Sequence, residues 1–185
     1  MPVQAVLVVD AQVGLLEGSG IGYDAAGVIE RIQQIIAAAR ATGRPVIYIQ
    51  DKDVGGVGSP EWQIVAALAP HEGDPRIEKA YADSFYQTNL QDVLAAHAVQ
   101  QLVVVGCRTD ACVATTSQRA VSLGYDVTLV GDAHSTIDNR FMSAPQTIAY
   151  YNQILDGFGA EDGFGAGQHE IIVQSTEQVL AQFRS

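Results

Sequence analysis

Positive charge is scarce in this sequence: ten Lys and Arg stand against 21 Asp and Glu, a net charge of -11 over 185 residues. Phosphate backbones and anionic membrane surfaces are bound by clustered basic side chains, so neither a nucleic acid nor a membrane partner is expected. Cysteine is nearly absent, and two residues cannot make the disulfide framework of a small secreted domain. Long apolar runs are missing as well. The N-terminal stretch MPVQAVLVVDAQ is too short to span a bilayer and lacks the basic flank of an export signal, so a cytoplasmic protein is expected. Gly14, Gly18, Gly20 and Gly22 loosen the first connection. They are not followed by the Lys of a phosphate-cradling loop, which argues against a nucleotide site.

What is present describes an ordinary globular chain, with 48% hydrophobic and 17% charged residues. The length suits one α/β domain over residues 1–185. Short apolar runs alternate with amphipathic segments: Ala5–Val9 then Ala25–Thr42, Val46–Ile49 then a loop and Thr88–Ala98, Leu102–Val105 then Cys112–Leu123, Val127–Val130 then Ala144–Leu155. A last strand is expected at Glu170–Val173, before a helix over Thr176–Phe183 capped by Ser175. Continuous apolar strands separated by helices require a sheet covered on both faces. The expected fold is therefore a three-layer α/β/α sandwich around a mostly parallel, Rossmann-like sheet.

In such folds the loops leaving the carboxyl ends of the strands build the ligand crevice. Three features fall at that edge: Asp10, the Gly106–Cys112 loop, and Asp132-Ala133-His134 after the next strand. An acidic residue ending a buried strand is costly unless paired or functional, which singles out Asp10. Cys112 opens a helix, where free N–H groups and the macrodipole are expected to lower a thiol pKa. Cys107 ends a strand beside Gly106 and reads as a small buried apolar residue. On the residues alone, Lys79 reads as half of an exposed ion pair with Glu78. A redox switch using Cys107 and Cys112, or a binder without catalysis, stays open at this point.

Gly106, Thr109, Asp110, Cys112 and Val113 at their spacing, Gly124-Tyr125-Asp126-Val127, and Asp132-Ala133 together resemble the cysteine hydrolase (amidase) branch of the isochorismatase-like superfamily. Asp10-x-Gln12, and Lys79 followed by Tyr81 and Ser84-Phe85, extend the resemblance from about Val3 to Phe183. The resemblance implies a catalytic triad of Asp10, Lys79 and Cys112. It also implies an oxyanion hole from the backbone N–H groups of Arg108 and Cys112, and a cis peptide bond at Cys107–Arg108. The implied reaction is hydrolysis of a small amide, ureide or related C–N bond by a homodimer or homotetramer.

Two departures narrow this. True isochorismatases resemble the chain but lack the nucleophilic cysteine. Nicotinamidases carry metal-binding histidines where this chain has Gln50-Asp51-Lys52-Asp53, so no metal and no cofactor are expected. Gln12, Trp62, Tyr81, Phe85 and His134 are candidates for the substrate pocket. Trp62 and Phe85 read equally as core or subunit contacts, and His134 equally as a cap. A repeated Asp-Gly-Phe-Gly-Ala at 156–160 and 162–166 reads as a Gly-rich surface connection, or as a lid over the crevice.

Overall fold

A computed structural model describes residues 3–18, 20–160 and 167–184. Its strands are β1 (Val3–Val9), β2 (Val46–Asp51), β3 (Arg76–Lys79), β4 (Val99–Cys107), β5 (Asp126–Ser135) and β6 (Ile171–Gln174). They form one parallel sheet in the order β3-β2-β1-β4-β5-β6. The helices are α1 (Val13–Leu16), α2 (Ala25–Ala41), α3 (Leu90–Ala96), α4 (Ala114–Ser122), α5 (Ala144–Leu155) and α6 (Thr176–Arg184).

Alternation along the strands sorts the core into two layers. Val6 and Val8 of β1, with Val103 and Val105 of β4, pack under α2 and α6 against Ile32, Ile35, Val179 and Phe183. Ala5, Leu7 and Val9 face the other way, toward Leu90, Leu94, Ala120 and Leu155 of α3, α4 and α5. Both faces are covered, which is why the strands read as unbroken apolar runs. Each fully buried Val, Leu or Ile contributes about 1.5–3 kcal/mol to holding the layers together. The expected three-layer α/β/α architecture is the one observed.

The differences from expectation concern strand ends. β3 falls inside the stretch expected to be a loop: Arg76-Ile77-Glu78-Lys79 has a single apolar residue, and only pairing with β2 reveals it as a strand. β5 runs on through Asp132–His134 rather than stopping before them, because a register shift against β4 between Val104 and Gly106 lets extra β5 residues in before pairing resumes at His134. Ser175 does cap α6, its hydroxyl accepting from Gln178 N at 3.3 Å while Gln178 Oε1 accepts from Ser175 N at 2.7 Å.

The chain leaves β1 toward β2 on one side of the sheet and resumes at β4 on the other, so the topological switch lies between β1 and β4. The carboxyl ends of β3, β2, β1 and β4 stand side by side there. The residues at those ends are Lys79, Asp51, Asp10 and Cys107.

Candidate active site

Glycine is required for this edge to form. Gly106 has φ +121°, and a Cβ on it would lie 1.9 Å from the Val9 carbonyl oxygen, inside any van der Waals contact. Its absence lets β4 close against the end of β1. Asp10, the next residue of β1, takes φ +46°, a left-handed conformation uncommon for a residue with a side chain. Its N–H donates to Ile49 O of β2 at 3.1 Å, and its carboxyl group is completely buried.

Lys79 is brought to the same point by β3, where it is the register partner of Asp51. It is not the solvated half of a pair with Glu78, which instead meets Lys52 at 3.5 Å on the surface. Its ammonium is sealed from solvent and touches three groups: Asp51 Oδ2 at 2.6 Å, Asp10 Oδ2 at 2.8 Å and Cys112 Sγ at 3.2 Å. The Asp10 carboxylate thus meets the cation directly, and it also bears on the Cys112 thiol by hydrogen bonding.

Cys112 sits in a single π-helical turn, Thr109–Val113, between the end of β4 and the start of α4. Val113 N donates to Arg108 O across this widened turn at 3.1 Å, and the Cys107–Arg108 peptide immediately before it is cis. The turn is fastened from β5. Thr136 Oγ1 donates to Asp110 Oδ1 at 2.6 Å, and Thr109 Oγ1 lies 2.8 Å from His134 Nδ1. His134 Nε2 is 2.9 Å from Asn152 Oδ1, whose amide nitrogen donates to Gly131 O at 2.9 Å. That orientation makes Nε2 the protonated nitrogen and Nδ1 the acceptor from Thr109.

The titration behaviour follows from burial and neighbours. Burial raises Asp10 to about 6, with Lys79 holding it back from rising further. Burial and then the Asp10 charge push Cys112 up to about 12 against the pull of Lys79, reversing the expected lowering at a helix start. Burial drives Lys79 down, but Asp10, Cys112 and Asp51 outweigh it and its net direction is upward. Burial lowers His134 to about 4, keeping the imidazole neutral. The resting site therefore holds a protonated thiol, a poised carboxylate and a permanent cation.

The other candidate residues are placed as follows. Gln12 is fully buried and acts as a strut: its Oε1 accepts from Asp51 N at 2.8 Å, and its Nε2 donates to Asp51 O at 3.0 Å and Trp62 O at 2.9 Å. Trp62 is half-buried, with an indole N–H that is sealed and unpartnered. Tyr81 is half exposed and stacks edge-on against Tyr86. Phe85 lies in the core, stacked on Tyr125, and His134 is buried between Thr109 and Asn152. Neither ring is brought to the triad. Arg108 turns its side chain to Gly20 O at 2.9 Å and leaves Nη1 buried without a partner. Of the repeated segment, Phe158 packs against the core and Gly157 N bonds to Ile171 O, while the second copy lies outside the described residues.

Asp51 is the residue that sequence reasoning passed over. A signal was available: it is a carboxylate ending a buried strand, with Gln50 between it and the apolar run. One oxygen or sulfur of each of Asp10, Asp51 and Cys112 lies within 4.8 Å of the others, a spacing a cation could use. The Lys79 ammonium contacts all three of these groups.

Among the described residues no helix is long and apolar enough to cross a membrane. The isochorismatase domain family matches residues 4–148. A streptothricin hydrolase of Streptomyces noursei is 35% identical over 140 residues, covering 74% of this chain and 51% of that protein. The chain thus spans about half the length of the streptothricin hydrolases it matches. The ureidoacrylate amidohydrolase RutB of Agrobacterium fabrum is 33% identical over 188 residues, covering 80% of the chain and 81% of that protein. A crystal structure of an isochorismatase family protein superposes with a TM-score of 0.82 at 32% identity, over 93% of this chain and 98% of that one. Ordered motifs, sheet topology and these matches agree that the chain belongs to the isochorismatase family.

Proposed function

We propose that this chain is a cysteine hydrolase that cleaves a small amide, ureide or related C–N bond through a Cys112 thioester. The observation that carries the reading is the convergence of Asp10, Lys79 and Cys112 from β1, β3 and the π turn onto one ammonium. The relatives named for streptothricin hydrolysis and ureidoacrylate amidohydrolysis support C–N cleavage as the reaction class.

Asp10, deprotonated above about pH 6, accepts the Cys112 proton as the thiol attacks the substrate carbonyl carbon. The C–S bond forms and the carbonyl π electrons move to oxygen. The N–H groups of Arg108 and Cys112, at the cis peptide and in the turn that follows, are the donors assigned to that oxyanion. Collapse expels the amine, which takes the proton from Asp10 and leaves the thioester. Water, deprotonated by the same carboxylate, then releases the acid and restores the thiol.

Trp62 and Tyr81 are assigned to the pocket wall and Gln12, Phe85 and His134 to support behind it. By family resemblance the active form is assigned as a homodimer or homotetramer, and the sparse cysteine supports a cytoplasmic location. Ammonia release from a panel of primary amides and ureides, compared between the wild type and Cys112→Ala, tests the chemistry. Turnover confined to the wild type is expected, and turnover surviving in the variant would overturn the thioester.

A further inference from the structure

The proposed reaction moves one negative charge around a buried cation. It begins on Asp10, passes to the Cys112 sulfur, appears on the substrate oxyanion and returns to Asp10. While it resides on the oxyanion, Asp10 is a neutral acid and the sulfur is covalently occupied. Neither of those two contacts then supplies Lys79 with a counter-ion, although its side chain is fully sealed from solvent. A buried ammonium left without an anion is strongly disfavoured.

Among the described residues, Asp51 is the one anion in contact with Lys79 that takes no part in the proposed proton transfers. It offers the shortest of the three contacts, 2.6 Å, and is the register partner of Lys79 on the neighbouring strand. Its position is built. Its second oxygen accepts from Asp53 N at 2.9 Å, and the Gln12 amide clamps both its N–H and its carbonyl. The same Gln12 lies two residues beyond Asp10, so one side chain sets the spacing between the mobile and the fixed carboxylate.

We propose that Asp51 is the fixed counter-charge of Lys79, a positioning residue that keeps the ammonium charged and in place while the mobile charge is away. The mobile part of this assignment rests on the proposed thiol hydrolysis. A second consequence needs only the geometry. Asp51 takes a share of the Lys79 charge and lies within 4.8 Å of the other two groups, so it makes both Asp10 and Cys112 hold their protons more tightly. The charged and titratable groups facing Asp10 are Asp51 from β2, Lys79 from β3, Cys107 from β4 and Cys112 from the π turn. Those facing Lys79 are Asp10, Asp51 and Cys112. Neutralising Asp51 leaves the Lys79 charge undivided between Asp10 and Cys112.

The test is the pH profile of Cys112 alkylation by iodoacetamide, read by mass spectrometry on wild type, Asp51→Asn and Asp51→Glu. The lower limb of this profile reports the coupled Asp10–Cys112 titration. Asp51→Asn is expected to move that limb about one pH unit or more toward acid, and Asp51→Glu to return it close to wild type. With an amide substrate, the Asn variant is expected to lose about tenfold or more in kcat with KM little changed, since Asp10 becomes the weaker base. An unmoved alkylation limb overturns the proposal. Should Asp51→Asn not fold, Asp51→Ser removes the same charge with a smaller group. Failure of both neutral variants to fold would make Asp51 a purely structural residue and overturn the proposal equally. Alkylation needs no turnover: a shifted limb without amide hydrolysis keeps the counter-charge and removes the hydrolase, and the reverse pair of results does the opposite.

Discussion

Two polar networks grip the π turn that carries Cys112 from opposite sides, and they are built from different materials. On the β1–β3 side the contacts are ionic: Asp10, Asp51 and Lys79 reach the sulfur of Cys112 through charge. On the β5 side, beside the Thr136 bond to the Asp110 carboxylate, they are neutral: Thr109, His134, Asn152 and the Gly131 carbonyl form a relay of hydrogen bonds in which burial keeps the imidazole uncharged. The first network has groups whose proton affinities can change during a reaction. The second has none that titrate near neutrality, and it can only hold. The difference teaches that, in the proposed mechanism, moving charge and fixing geometry fall to different strands.

The largest effect that would break the comparison is on the ionic side. Lys79→Met removes the cation and leaves Asp10 and Asp51 facing each other in a buried site. Turnover is expected to fall by about a thousandfold or more. Leaving buried carboxylates unpaired costs about 3–5 kcal/mol, less whatever the two recover by protonating. Steady-state kinetics and urea unfolding above pH 7 read both; a variant with near wild-type activity would remove Lys79 from the mechanism.

Asp10 gives the next effect, and its sign can be worked out. Burial raises it from the ordinary carboxylate value of 3.8 to about 6, so its contribution favours the native state below pH 4 and is lost as pH rises through 6. The shift corresponds to roughly 3 kcal/mol. The stability of wild type relative to Asp10→Asn is therefore expected to decline between pH 4 and pH 7, seen as a growing thermal advantage of the variant. For kcat/KM the direction is opposite, with activity rising through an acid limb near pH 6. A stability difference independent of pH would show that Asp10 is not held protonated by its surroundings.

On the neutral side, His134→Leu strands the Thr109 hydroxyl and Asn152 Oδ1 without partners. A cost of about 1–3 kcal/mol for each unsatisfied group is expected, with a fall in kcat and little change in the acid limb. The unchanged limb is what sharpens the comparison: a shift in it would mean that His134 speaks to the proton chemistry after all. His134 itself is lowered below its ordinary 6.5, so its contribution to stability is present above that value and is lost as pH falls toward 4.

How much of this was legible in the sequence depends on what each residue leans upon. The apolar strands and the amphipathic helices were legible because burial on both faces writes itself directly as composition, and α5 begins and ends where its pattern does. β3 was not, because four residues with one apolar side chain become a strand only through their neighbour β2. Lys79 could be placed only by resemblance, since nothing local marks a lysine as buried. Asp51 went unread although it obeys the strand-end argument that found Asp10, its partner lying 28 residues away in a segment taken for loop. The raised Cys112 pKa was misread because helix-start electrostatics are visible in a sequence, whereas desolvation and an opposing carboxylate appear only once the chain is folded.

The smallest expected effect belongs to the other thiol. Cys107 is five residues from Cys112 and is also pushed up to about 12, so a titration midpoint alone would not tell them apart. Their surroundings do. Cys107 is 1% exposed in the layer under α2 and α6, with Val105 and Ala133 for company. Cys112 has a carboxylate and an ammonium in contact with it, Asp10 and Lys79. Cys107→Ala should cost about 1 kcal/mol for the volume removed, and leave turnover and the Cys112 alkylation profile at wild-type values. Loss of turnover, or of a reversible disulfide formed by the wild type under oxidant, would instead join the two cysteines into one redox pair. In the proposed mechanism the company of Asp10 and Lys79 is what makes one thiol the nucleophile, and the Cys107 variant measures how little burial alone contributes.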